Sequence, residues 1–489
     1  MSHSIGQPLR AVVHRSKTWI RVNTIACVTL VLGLLVLIAT RDAIIKARSL
    51  KLPVMMIVAA LALVCFLALP RKLSFLVAMT GFSLPFFIRL TIMERGDDSL
   101  SLTGTSIVAF ILGLMLVAAL LEGTRQFIIE IPITLFFVAY LGVCALSMVN
   151  TTDRTLSLLA MSKEAEMLII FLILVNTIQD KSSLRSFLRG LFAAFAIECI
   201  IFVIQNMLGF SFDVLGNRKF VGATDVESGY IGSQRGTFDA APAVAALYFS
   251  LLSQILIGFY LCRERFKLML TPVLGVILGV GCLALGAKRA PMSGFVLGMV
   301  TTCLLLARYS PREFRKVGKI AAAVLIPVIV FAPVLLLRAE ANHESAYEER
   351  MNLTRVAWEM WRAHPVLGVG VGTYDTVKRM YLPEDWVGWL YTVHNNYLMV
   401  IAETGALGLG MLVLFYLVVL RKTYQGIEKV SAEYRPMQIC LIGALVAIYW
   451  EMYWDIFDSK QQEYMLWTVV ALAVIFPRIL KEGSKAAAS

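Results

Sequence analysis

The 489-residue chain is short of charge. Asp, Glu, Lys and Arg make up 16% of it, hydrophobic residues make up 58%, and the mean hydropathy is +0.76. No soluble domain of this size carries that balance, so a water-soluble enzyme is excluded. Cysteine is sparse and scattered. The eight cysteines, Cys27, Cys65, Cys144, Cys199, Cys262, Cys282, Cys303 and Cys440, all fall in or beside apolar runs, and none has CxxC spacing. That argues against disulfides and against a cysteine metal site. The five histidines include no pair four residues apart and no adjoining Asp/Glu cluster, so neither a bound metal nor any other cofactor is indicated. Internal repeats, low-complexity tracts and a separate soluble domain are also lacking.

What the chain has is long apolar runs. Runs of about 17–22 residues recur along its whole length, each able to cross about 30 Å of hydrocarbon as a helix. Candidate spans are 22–40, 53–69, 73–93, 105–121, 131–149, 164–178, 191–209, 240–262, 268–286, 290–307, 320–337, 395–420, 437–454 and 463–480. The expected fold is therefore all-α: a polytopic membrane protein with about 12–14 transmembrane helices. The first run has no small-residue cleavage site and reads as a retained anchor. The segments divide as 1–209, N-terminal helices; 210–337, helices with outward basic segments; 338–393, one long, partly helical loop; and 394–489, C-terminal helices.

The net charge of +12 follows the positive-inside bias and gives no reason to expect nucleic acid as a partner. Basic loops at Arg71-Lys72, 181–189, 263–267, 308–319, 421–435 and from Arg478 onward are separated by even numbers of spans. They share one side, the cytoplasm, with both termini. Only 41–51, with four basic residues, runs against the pattern. The other side receives about 210–239, the turn 287–291 and the stretch 338–393. Long loops in compact proteins are usually functional. This one has helical character from Tyr347 to Ala363, with apolar Met351, Val356, Trp358 and Met360 among charges, and His364-Pro365 ends it.

Four arginines on that outward side are candidates for phosphate capture, which suits the planar guanidinium. They are Arg235, Arg289 beside Lys288, and Arg350 and Arg355 on the loop helix. The plain alternative for each is a snorkelling or ion-paired structural arginine, with Glu348 and Glu349 the competitors near Arg350. His394 begins His-Asn-Asn-Tyr-Leu at the start of a span and is a candidate general base. Its plain alternative is a helix cap, and His343 and His364 compete for the role. Glu403 follows nine residues later, on the opposite helical face, too far to touch His394 on a continuous helix. With Asn395 and Asn396 it belongs to the supporting shell. Glu198 and Glu451 are further intramembrane acids of the same kind. The glycine-rich run 368–372 has GxGxG spacing, which is no dinucleotide fingerprint. It is either a site of close backbone approach or a flexible turn.

Together these pieces resemble the O-antigen ligase/polymerase superfamily of bacterial inner-membrane glycosyltransferases. The likeness covers roughly Gln234 to Trp467. It is carried by RMNLTRVAWEMWRAHPVLGVGVGTY from Arg350 to Tyr374, by His394-Asn-Asn-Tyr-Leu and by Glu403-Thr-Gly. Arg235-Gly-Thr-Phe and Lys288-Arg289 match two earlier outward segments less tightly: Asp239-Ala-Ala replaces the family's Asn-Pro-Asn, and Lys288 its small residue. The resemblance implies a GT-C-like fold in the inner membrane with its active site facing the periplasm. It also implies metal-independent, inverting transfer of an undecaprenyl-pyrophosphate-linked glycan to a hydroxyl on a glycan or on lipid A-core. His394 would be the base, Arg289, Arg350, Arg235 or Arg355 would hold pyrophosphate, and polysaccharide assembly proteins are among the partners it allows. Size and extra N-terminal spans lean toward an exopolysaccharide or O-antigen polymerase over a ligase. The competing readings are a flippase or transporter, which should show repeats and mid-membrane charges, and a structural assembly subunit.

Overall fold

The computed structural model describes residues 72–86, 89–95, 98–212, 218–219, 234–238, 242–262, 271–318, 345–382, 386 and 391–481. The expected spans 22–40, 53–69 and 320–337, the loops 41–51 and 263–267, most of 210–239, and His343 lie outside them. The chain divides into two units, Met1–Phe75 and Leu76–Ser489, and every candidate site residue belongs to the second.

Helices dominate. They are α1 (Lys72–Ser83), α2 (Gly104–Leu121), α3 (Ile131–Ser147), α4 (Arg154–Thr177), α5 (Lys181–Leu208) and α6 (Pro242–Leu261). Beyond these come α7 (Pro272–Gly286), α8 (Arg289–Tyr309), α9 (Ser345–Ala363), α10 (Asn396–Lys429), α11 (Arg435–Trp454) and α12 (Lys460–Ile479). Among the described residues seven helices are long and apolar enough to cross a membrane, so the protein is a polytopic, mainly helical membrane protein. α6 is apolar on every face and buried over 94% of its span, the position such a helix must take. It packs against α7, α8 and α11, while α10 packs against α3, α11 and α12. α2 and α3 turn Phe110, Leu121 and Leu135 outward, as lipid-facing helices do.

One span ends in a different kind of structure from the one expected. The run expected over 73–93 stops being helical at Ser83, and an antiparallel hairpin follows: β1 (Arg89–Arg95) pairs with β2 (Asp98–Thr103), closing on Arg95 opposite Asp98. Pro85 removes a backbone donor just past the helix, and the alternating Leu-Ser-Leu-Thr of 100–103 suits a strand. Hydropathy alone carried the span too far.

α10 is broken at Gly405, where φ is 68° and ψ is −170°. The break opens backbone groups that the turn after α9 fills. Val369 N–H donates to the Ala402 carbonyl (3.0 Å), Gly370 N–H to Glu403 (2.9 Å), and Ala406 N–H to Pro365 (2.9 Å). This contact is so close that a Cβ on Gly405 would lie 2.2 Å from the Val366 carbonyl, and one on Gly368 2.2 Å from the Glu403 backbone. The stretch 365–372 is therefore a packed insert rather than a flexible turn. α9 itself buries the stripe Leu353, Val356, Ala357 and Met360 against Val369, Tyr374, Val393 and Ala402. Met351 and Trp358 face outward.

Gly405→Ala adds both a clash and a left-handed alanine, and should cost about 2 kcal/mol or more. Gly410→Ala meets nothing within 4 Å and should leave stability unchanged. Thermal unfolding in detergent checks both; equal midpoints for the two variants would refute the insert.

Candidate active site

Asn395 is the N-cap of α10. Its side chain accepts from the Leu398 N–H at 3.0 Å, so the capping role that competed for His394 belongs to its neighbour. His394 is left with its ring 39% exposed, and its Nδ1 lies 3.1 Å from Oδ1 of Asp455. Asp455 directly follows α11. Its position is fixed from several sides: its carboxylate accepts from the Ile456 N–H (2.9 Å), its carbonyl accepts from the Asn396 N–H (3.2 Å), and Asn396 Oδ1 accepts from the Phe457 N–H (3.2 Å). The start of α10 is thus tied to the turn after α11. An ionised carboxylate only accepts, so the neutral imidazole donates through Nδ1 and keeps its lone pair on Nε2.

Glu403 serves the glycine-rich insert. Its Oε2 accepts from the Gly372 N–H and its Oε1 from the Tyr374 N–H, each at 3.0 Å. These are charge-assisted bonds from a buried carboxylate, stronger than neutral ones. The far side of the insert is held by Ser147 Oγ, which accepts from the Val371 N–H (3.1 Å), by Ser157 Oγ, which donates to the Val371 carbonyl (2.7 Å), and by Asn150, which donates to the Gly368 carbonyl (2.8 Å). Burial pushes the Tyr374 hydroxyl well above its usual range, with Asp375 and Glu403 adding to the shift, so it stays protonated. His364 sits at the α9 terminus, where its carbonyl accepts from Gly368.

The arginines come from separate elements. α8 runs antiparallel to α11: Gly294 faces Ala447, Gly298 faces Gly443, and Trp450 Nε1 donates to Ser293 Oγ at 2.8 Å. Arg289, one turn before Ser293, therefore lies at the end where α11 finishes and Asp455 meets His394. It is exposed, it follows Ala287 in a left-handed conformation (φ 50°), and no side chain caps α8. An uncapped helix N-terminus beside an arginine favours an anion.

Arg235 reaches the same end by another route. Glu198 accepts from the Thr237 N–H (2.8 Å) and hydroxyl (2.7 Å), Gln205 donates to the Gly236 carbonyl (3.0 Å), and both Thr237 and Gln461 donate to the Pro85 carbonyl. Gln461 lies six residues after Asp455. Arg235 Nε is buried without a hydrogen-bond partner. On α9, Arg350 borders the buried stripe, whereas Arg355 projects on the opposite, exposed face with Met351 and Trp358. Both arginines are exposed. The basic loops gather at the other end, where Lys181 lies over the Tyr434 ring and Arg478 donates to the Val175 and Ile178 carbonyls.

Residues 274–430 match the sequence model of the O-antigen ligase family. The chain carries an O-antigen ligase domain. No curated protein matches the chain. The match covers Arg289, Arg350, Arg355, His394 and Glu403, while Arg235 and Asp455 fall outside it. Asp455 was missed from sequence. The available signal was a carboxylate at the outward end of a span, one helical turn past Glu451.

Glu403→Gln keeps the shape of the side chain but leaves one acceptor for two N–H donors. Losing a charged hydrogen bond costs about 1.5–3 kcal/mol, so amide exchange over 368–376 should speed at least about tenfold. Unchanged exchange there would refute the clamp.

Proposed function

We propose that the protein is an inverting glycosyltransferase of the outer face of the bacterial inner membrane. It moves a glycan from undecaprenyl pyrophosphate to a hydroxyl acceptor in exopolysaccharide or O-antigen assembly. The observation that carries this reading is the His394–Asp455 pair at 3.1 Å, at the bundle end that also presents Arg289 and Arg235.

The chemistry follows from the groups. Nε2 of His394 takes the proton of the acceptor hydroxyl as its oxygen attacks the anomeric carbon. The carbon–oxygen bond to pyrophosphate breaks, and its electron pair leaves with the phosphate. Asp455 fixes the ring and balances the imidazolium that forms. Fixed guanidinium groups stabilise the charge gathering on the leaving group, which is where preorganised charge accelerates a reaction. Arg289 at the α8 N-terminus and Arg235, with its unpaired Nε, suit that task best. Arg350 is better oriented than Arg355. A lipid-borne donor explains why the site opens at a helix end.

Of the two outcomes, a polymerase is preferred to an O-antigen ligase because of the extra N-terminal spans. A flippase would place charge at mid-membrane, whereas these groups sit at one end of the bundle.

Purified protein supplied with lipid-pyrophosphate-linked glycan tests the reading. Asp455→Asn should lower kcat at least about tenfold with little change in donor KM, since it mis-sets the base. Arg289→Ala should lower kcat/KM for the donor by about two orders of magnitude. Transfer at wild-type rates by both variants would overturn the assignment. A product ladder identifies a polymerase, and a single addition to lipid A-core identifies a ligase.

A further inference from the structure

A chamber of about 300 Å³ lies on the side of the glycine-rich insert that faces α3, α4 and α12. His394 and the arginines do not line it. Its floor is aromatic: the Phe137 and Trp467 rings meet edge-on at 4.6 Å, and Phe415 and Trp467 lie 5.4 Å apart. Its wall is polar and unevenly satisfied. Lys163 pairs with one oxygen of Glu463 at 2.9 Å, but the other Glu463 oxygen, in a residue 5% exposed, is buried without a partner. Glu164 makes no hydrogen bond or ion pair among the described residues.

Buried polar groups are almost always partnered. The Glu463 oxygen, unmatched in the wall of a cavity, describes part of the complement of a missing ligand. Its chemistry can be read from the lining. Glu164, Glu403, Glu463 and Asp458 line it with a single lysine, already paired with Glu463, so the lining offers no free cation to the donor's pyrophosphate. Carboxylates accept from hydroxyls, Lys163 donates to them, and a ring floor suits a flat C–H face. The volume lies at the small end of ligand sites, about 300–1,000 Å³, with room for one sugar ring. We propose that this chamber is a carbohydrate site for one neutral sugar residue of the glycan acceptor. The acceptor role rests on the transferase reading; the binding of a neutral sugar does not.

Saturation-transfer NMR on the purified full-length protein tests it. The probe is the mixture of oligosaccharides released by mild acid from the source cell's own surface polysaccharide and lipopolysaccharide. Neutral-sugar protons should receive saturation from the wild type, and uronic acid residues should not. Glu164→Gln keeps side-chain shape, so it should lower the signal about fivefold, the loss of one hydrogen bond, with the unfolding midpoint unchanged. His394→Ala should retain it. Absence of saturation in the wild type, or wild-type signal from Glu164→Gln, overturns the proposal. Sugar binding without transfer from a lipid-pyrophosphate donor would sink the transferase reading and leave the chamber standing. Normal transfer without sugar signal would sink the chamber alone.

Discussion

The bonds between the 365–370 turn and the broken step of α10 hold the active end together. A helix interrupted inside a membrane bundle exposes carbonyls and N–H groups that lipid cannot satisfy. Here the insert satisfies them, with Val369, Gly370 and Pro365 bonded to Ala402, Glu403 and Ala406. The same exchange lets Glu403 reach two N–H groups of the insert and brings α9 alongside α10. Without the break, α9 and its arginines would have no fixed relation to His394. The glycines of 368–372 and Gly405 are thus a packing requirement first.

A second constraint is electrostatic separation. The imidazole–carboxylate pair and the arginines of α8 and the 234–238 turn occupy one bundle end. The acidic chamber borders that end, its lining including Thr392 and Asn396 on either side of His394 and Ile456 next to Asp455. A reaction that must hold a pyrophosphate and a neutral hydroxyl at once gains from such a division, because the free cations lie at the arginine end and not in the chamber.

Much of the fold was legible because hydrocarbon thickness dictates run length. α3, α8, α10 and α11 begin at 131, 289, 396 and 435, within two residues of their apolar runs. α4 and α5 begin ten residues before theirs, at 154 and 181, since Asp153 and Asp180 cap charged turns that hydropathy does not register. The hairpin of 89–103 hid inside an apolar run for the converse reason. At the site, His394 and Arg289 were candidates from type and place, and helical phase separated Glu403 from His394 without revealing the insert that it clamps. Asp455 was not, because it lies 61 residues from His394 and reaches it only through the packing of α10 on α11. The chamber was equally invisible, being assembled from α3, α4, α10, α12 and the insert.

The central claim is that His394 takes the acceptor's proton. Its most direct test is the single-turnover rate of glycan transfer from a lipid-pyrophosphate donor by His394→Ala, in protein whose unfolding midpoint matches the wild type. The account predicts a fall of at least about a hundredfold, the range general-base catalysis supplies, with donor binding retained. A rate within a few-fold of wild type would contradict it.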